Sequence, residues 1–186
     1  MIRKHLTDYP GVRTVQKEAE LNWLMDTLLQ NQVQSLLSIG LLDGGTEWHI
    51  ARRYREEGRD IAMTGVDIHS SDTLQQHIQE IVHQWGQSFT FLQQSSHEMN
   101  LPGRFDAVWI DGDHSYEGVK QDFEWASNKA NTLIALHDIV DSSYHRKQGC
   151  FVSRLWAEIQ SSGFRTESRV GRDWAGIGIV YLAETL

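Results

Sequence analysis

Gly163-Phe-Arg-Thr-Glu-Ser-Arg-Val-Gly-Arg-Asp-Trp-Ala-Gly-Ile-Gly-Ile-Val-Tyr-Leu182 is the stretch whose reading decides the fold. Two strand-like runs, at about 163–169 and 175–182, are joined only by about Gly171 to Trp174. That gap is too short for the crossover that parallel strands require, so the chain is predicted to end in an antiparallel hairpin. The rest of the chain has a different rhythm. Short apolar runs at about 35–40, 61–67, 88–93, 105–110 and 131–137 alternate with amphipathic stretches at about 46–57, 72–86, 116–128 and 150–161. This alternation is the signature of βα units around a mostly parallel sheet. The connection from Ser95 to Pro102 has room for only a turn or two of helix. Ahead of the first strand, Val15, Ala19, Leu21, Leu24, Met25, Leu28 and Leu29 recur at spacings of three and four, which predicts a helix over 14–30.

The 186 residues fit one domain, 1–186, with a helical segment over 1–32 and an α/β core over 33–186. Apolar residues at 40% and charged residues at 23% are the proportions of an ordinary globular protein rather than a disordered one. No apolar run reaches the 18 or so residues of a membrane span, and Met1 to Asp8 lack the hydrophobic segment of a signal peptide. A cytoplasmic protein without a membrane partner is expected. The lone Cys150 excludes an internal disulfide and any paired-cysteine metal or redox motif. A net charge of −8 argues against a phosphate-binding face for nucleic acid and favours small substrates. The one basic run, Arg52-Arg53-Tyr54-Arg55, is followed at once by Glu56 and Glu57, as on a solvated helix face.

Chemistry gathers at strand ends. The run 105–110 delivers Asp111, Asp113 and His114, and the next run ends in Leu136-His137-Asp138. In an open α/β sheet the carboxyl ends of the strands line the ligand crevice. The first strand closes Ser38-Ile39-Gly40-Leu41-Leu42-Asp43-Gly44-Gly45-Thr46-Glu47, a glycine-rich turn into a helix, where a ligand can approach the backbone and meet free amides. Asp67 closes the second strand, where a carboxylate can accept both hydroxyls of a ribose lying over that turn. The turn lacks the G-x-G-x-x-G spacing of dinucleotide enzymes.

From about Leu21 to Leu182 the chain resembles the class I S-adenosylmethionine-dependent methyltransferases, whose sheet also ends in an antiparallel hairpin. Ile110 to Lys120 and Leu136 to Asp138 look like a bacterial branch that includes metal-dependent, macrocin-type sugar O-methyltransferases. The resemblance implies a three-layer Rossmann-like α/β fold with a seven-stranded, mostly parallel sheet in the order 3-2-1-4-5-7-6. It places Gly40, Gly44 and Gly45 along the methionine part of S-adenosylmethionine, Asp67 on the ribose, and Ile68, Ser95 and Ser96 near the adenine, with Asp111 at the edge of the cofactor. Many members carry an Asp near Ser95 to bind the adenine amino group, and here a hydroxyl stands in its place.

Methyl transfer to a hydroxyl needs an in-line acceptor and a route for its proton. In the metal-dependent relatives, ligands at the ends of strands four and five hold a divalent cation such as magnesium or manganese, and a histidine three residues after the first ligand is the base. By that resemblance Asp111, His137 and Asp138 are the metal ligands, while His114 and Asp111 are the catalytic pair. His137 departs from the acidic or amide residue usual at its position, and imidazole suits manganese, iron or zinc better than magnesium. A hydrogen-bonded structural role is its other reading. Asp113 is either a partner of His114 or a helix-start acid.

The loop from Ile139 to Gly149, with Tyr144 and its cationic cluster, together with Arg172 and Trp174, is expected to face a small-molecule acceptor. The leading expectation is a methyltransferase acting on an oxygen. The alternatives are a non-catalytic adenosylmethionine-binding protein and a metal-dependent hydroxylase-like enzyme. The exposed sheet edge and the N-terminal helix make a homodimer a reasonable assembly.

Overall fold

The computed structural model describes residues 11–171 and 175–182. Arg172 and Trp174 lie outside the described residues. In chain order the elements are α1 (Glu18–Gln30), β1 (Ser35–Ile39), α2 (Gly45–Glu56), β2 (Ala62–Asp67), α3 (Asp72–His83), β3 (Ser88–Gln93), β4 (Phe105–Ile110), α4 (Tyr116–Lys129), β5 (Ala130–His137), α5 (Ser143–Lys147), α6 (Val152–Ser161), β6 (Arg165–Arg169) and β7 (Ile177–Tyr181). A single 3₁₀ turn, Ser96–Glu98, connects β3 to β4.

The seven strands form one sheet in the order β3-β2-β1-β4-β5-β7-β6. β1 to β5 pair in parallel, and β7 runs antiparallel to both β5 and β6. This is the expected Rossmann-like methyltransferase order with its reversed last strand. Side chains alternate across the sheet, as the two-residue period of a strand requires. Leu36, Met63, Trp109, Ala135 and Ile179 face a core built with α1 and α2. Leu37, Val66, Val108, Ile110, Ile134 and Val180 face one built with α4 and α6. Helices on both faces explain why β1, β4, β5 and β7 bury apolar residues on both of their faces. β6, by contrast, is a polar edge whose Arg165 and Glu167 discourage further strand addition.

Boundaries differ from the expected ones where side chains compete with periodicity. α1 starts at Glu18 rather than 14, because residues 12–17 leave the helix and run to the carboxyl edge of the sheet, with Lys17 extended at φ −70 and ψ 144. α5 falls in a stretch read as loop. Its opening is set by Ser142, whose hydroxyl accepts the His145 amide. Among the described residues no helix is long and apolar enough to cross a membrane.

Candidate active site

The site begins where β1 stops. Gly40 has φ 79, and a Cβ there would lie 2.3 Å from the Asp111 carbonyl oxygen. Only glycine lets the tips of β1 and β4 lie this close, with the Asp111 amide donating to Ile39 at 2.8 Å and the Gly40 amide to Val66 at 2.9 Å. The turn that follows is held by Asp67. Its Oδ2 accepts the amides of Leu41 at 2.8 Å and Leu42 at 3.1 Å, and its Oδ1 accepts the His69 amide at 2.8 Å. These bonds fix Leu42 at φ 53, a conformation a leucine does not adopt unaided.

The three glycines do not share one task. Gly40 borders two cavities, a larger one of about 800 Å³ and a smaller one of about 250 Å³. Gly44 lines neither: at φ 72 it opens α2, and a Cβ there would lie 2.8 Å from Leu74 of α3. Gly45 borders the smaller cavity, and a Cβ there would lie 1.8 Å from the Arg13 carbonyl. Its missing side chain admits the segment 13–16 as much as any ligand.

The larger cavity runs along the carboxyl ends of the strands past Asp67, Ile68, Ser95 and Ser96 to Asp111 and His114. Ser95 also caps the 3₁₀ turn, its hydroxyl accepting the His97 amide at 3.2 Å. Ser96 sits by the buried Asp122, which burial drives toward its neutral form. The smaller cavity is walled by residues 13–16, the glycine turn, Thr46 and Glu47. Asp111 borders both.

At Asp111 four ionisable groups converge. Asp111 Oδ1 stands 3.0 Å from His137 Nδ1 and 3.3 Å from His114 Nε2. His114 Nε2 is also 3.2 Å from Asp138 Oδ2, and His137 Nδ1 3.5 Å from Asp138 Oδ1. Burial opposes charge on every member, yet the opposite charges outweigh it. For Asp111 the charge of His137 and the bonds from both imidazoles hold the carboxyl below its usual range. Asp138 is lowered against burial chiefly by its bond with His114. His114, which burial alone would lower, is raised to about 10 by hydrogen bonds to Asp111 and Asp138. His137 is raised, against burial, by the Asp111 charge. His114 is therefore an imidazolium at neutral pH, a donor bridging two carboxylates and not a ready base.

The ligand atoms of Asp111, His114 and His137 lie within 4.8 Å of one another. The tight group thus takes in His114, whereas the expected set was Asp111, His137 and Asp138. Asp138, at φ 58, borders this group, with Oδ2 3.2 Å from His114 and Oδ1 3.5 Å from His137. Asp113 takes the helix-start role: its Oδ1 accepts the Ser115 amide at 2.8 Å ahead of α4.

Three site residues escaped the sequence reading. Gln16 lay inside the helix predicted over 14–30, but its Nε2 donates to Asp111 Oδ2 at 2.7 Å. Glu47 looked like one more polar residue of the first helical turn. His145 sat in a stretch read as loop, and its Nε2 stands 3.5 Å from Asp138 Oδ1 while Nδ1 meets the Val140 carbonyl at 2.8 Å. For His145, the spacing from the Ser142 cap was the available signal.

Comparison with known proteins places the fold. The O-methyltransferase TomG from Streptomyces achromogenes, involved in tomaymycin synthesis and solved with SAM, superposes with a TM-score of 0.63 at 13% identity, over 96% of this chain and 85% of that one. The O-methyltransferase from Bacillus cereus, solved with SAH, gives 0.61 at 18% identity over 94% and 85%. Magnesium protoporphyrin IX methyltransferase from Synechocystis PCC 6803, with bound SAH, gives 0.63 at 16% identity over 88% and 81%. At these identities the likeness is one of fold. No curated protein sequence matches the chain. A family model described as a methyltransferase domain matches residues 37–139, which run from within β1 to just past Asp138 and so span every strand end described above. The chain belongs to this methyltransferase-domain family and has the class I S-adenosylmethionine-dependent methyltransferase fold.

Proposed function

We propose that the protein transfers a methyl group from S-adenosylmethionine to an oxygen of a small molecule. The observation that carries this reading is the larger cavity, which leads from Asp67 and Ser95 along the strand ends to the Asp111–His114 pair. Its volume of about 800 Å³ is within the ordinary range for small-molecule and cofactor sites. Ile39, Val66 and Ile68 give it apolar walls suited to a flat base. Asp67 already accepts three amide bonds of the about four that a carboxylate can take, so it has room for one ribose hydroxyl rather than two. When bound, S-adenosylmethionine supplies the electrophilic methyl group.

Asp111 and His114 then act on the acceptor. A hydroxyl that inserts between His114 and Asp138 takes over one of the bonds that keep the imidazole protonated, and His114 falls back toward its ordinary pKa. Once it has released its own proton to solvent, its Nε2 can receive the acceptor's proton. The donor set also fits a divalent cation tolerant of mixed imidazole and carboxylate ligands, held by Asp111 with His137 and Asp138 or His114. Such an ion would lower the pKa of an acceptor hydroxyl. The narrower likeness to sugar O-methyltransferases rests on Ile110–Lys120 and Leu136–Asp138, and favours an acceptor with neighbouring oxygens.

Titration calorimetry with S-adenosylhomocysteine, followed by its detection as a product across a panel of vicinal diols, sugars and catechols with chelator or manganese, tests the proposal. Binding plus turnover on any such acceptor supports it. Absence of binding in every metal condition would remove the cofactor.

A further inference from the structure

The smaller cavity has a chemistry of its own. Glu47, on the first turn of α2, is 1% exposed and lines this cavity beside Thr46, Gln16 and Asp111. Neither of its carboxylate oxygens has a hydrogen-bond partner of ordinary geometry. A fully buried carboxylate without such partners is costly, and protein interiors avoid it unless something else meets the charge. Ser38 on β1 has a hydroxyl equally buried, close enough to Glu47 to favour its charged form but outside ordinary hydrogen-bond geometry. Among the described residues lining the cavity, the cationic one is Arg13. A cavity with a buried acid, an arginine on its wall and hydroxyls from Thr14 and Thr46 suits a zwitterion. It joins the larger cavity at Val15, Gly40 and Asp111.

We infer that Glu47 is the binding residue for the α-ammonium group of the cofactor's amino-acid tail, which enters the smaller cavity while the nucleoside occupies the larger one. This deepens the reading of the larger cavity as a nucleoside site and rests on it. An acid placed at a helix N-terminus only for the dipole would not need both oxygens buried inside a cavity without ordinary partners. Burial also pushes the Glu47 carboxyl up to about 7, so the acid waits half-neutral at physiological pH. A cation arriving beside it favours the ionised form, and the group then donates no proton to the site and accepts hydrogen bonds from the ammonium.

The test compares S-adenosylhomocysteine with its desamino analogue, in which hydrogen replaces the ammonium, by titration calorimetry on the wild type and Glu47→Gln. The wild type should prefer S-adenosylhomocysteine by about tenfold or more, the usual scale for a charge-assisted hydrogen bond, and Glu47→Gln should abolish that preference while binding the analogue as the wild type does. Equal affinity of the wild type for the two ligands, or a preference retained in Glu47→Gln, overturns the inference. A wild type that binds neither ligand removes the nucleoside reading itself, a result distinct from equal binding. The ligand comparison on the wild type decides the question even if Glu47→Gln folds poorly.

Discussion

Gln16 holds Asp111 from the side opposite the histidines. Its Nε2 donates to Asp111 Oδ2 at 2.7 Å, while Asp111 Oδ1 faces His137 and His114 at 3.0 and 3.3 Å. The carboxamide is fixed at its other end as well, with Oε1 accepting the Thr46 hydroxyl at 2.6 Å and that of Thr14. A group with a donor at one end and an acceptor at the other is needed here. Gln16→Ala removes the bond to Asp111 Oδ2 and leaves the Thr46 hydroxyl only the Thr14 hydroxyl, 3.2 Å away, so a loss of about 1–3 kcal/mol is expected in urea unfolding. Gln16→Glu sets carboxylate against carboxylate and should be the less stable of the two at pH 8. Equal stability of Gln16→Ala and wild type would show that the contact does not form in solution.

Gly45 tests the same segment through the backbone. A Cβ at this position would come 1.8 Å from the Arg13 carbonyl, so Gly45→Ala must displace residues 13–16 and with them Gln16. Overpacking of this kind costs about 1–3 kcal/mol, and S-adenosylhomocysteine binding should weaken with it. Gly58→Ala is the control. Gly58 also has a positive φ, of 66, but nothing lies within 4 Å of its added Cβ, and it stands at the far end of α2. Thermal denaturation should fall in both variants, and ligand affinity only in Gly45→Ala.

Much of this site was legible because strand ends are legible. Asp111, His137 and Asp138 follow apolar runs that can only be strands, and a parallel sheet brings such ends to one edge. Gly40 was readable for the same reason, since a turn that must clear its neighbour selects glycine. Gln16 was not readable: Val15 and Ala19 extend the helical spacing across it, and the bond that pulls it out of the helix reaches 95 residues along the chain. Glu47 resembled any acid in a first helical turn, and nothing local in the sequence marks it as the buried residue it is. Asp67 lies beside the glycine turn. The amides of Leu41 and Leu42 compete for the oxygens that the sequence reading left to a ribose.

Glu47 gives the protein a pH dependence of definite sign. Its carboxyl is raised by burial from 4.5 to about 7 in the folded state, so between these values the native chain holds a proton that the unfolded chain has released. Stability attributable to this group therefore falls as pH rises from about 4.5 through 7, by a total of about 3 kcal/mol. Glu47→Gln removes that dependence. Its advantage over wild type in urea unfolding should be larger at pH 8 than at pH 5, and an advantage independent of pH would mean the carboxyl is solvated.

His114 gives a slope of the same sign from a different cause. Burial alone would lower it, but its bonds to Asp111 and Asp138 raise it from 6.5 to about 10, so the folded chain keeps a proton that the unfolded chain loses. The stability it contributes is fully present below pH 6.5 and is lost as pH rises through about 10. His114→Asn should thus be destabilised relative to wild type at pH 6, with the two converging above pH 10. A divalent cation at the cluster competes with that proton. Manganese should raise the wild-type melting temperature more at pH 9 than at pH 7, and chelator should cancel the rise. In His114→Asn the pH dependence of the manganese effect should shrink. A melting temperature indifferent to manganese, magnesium and chelator at both pH values would leave the two carboxylates and two imidazoles to be satisfied by one another, and methyl transfer would then rest on His114 and Asp111 alone.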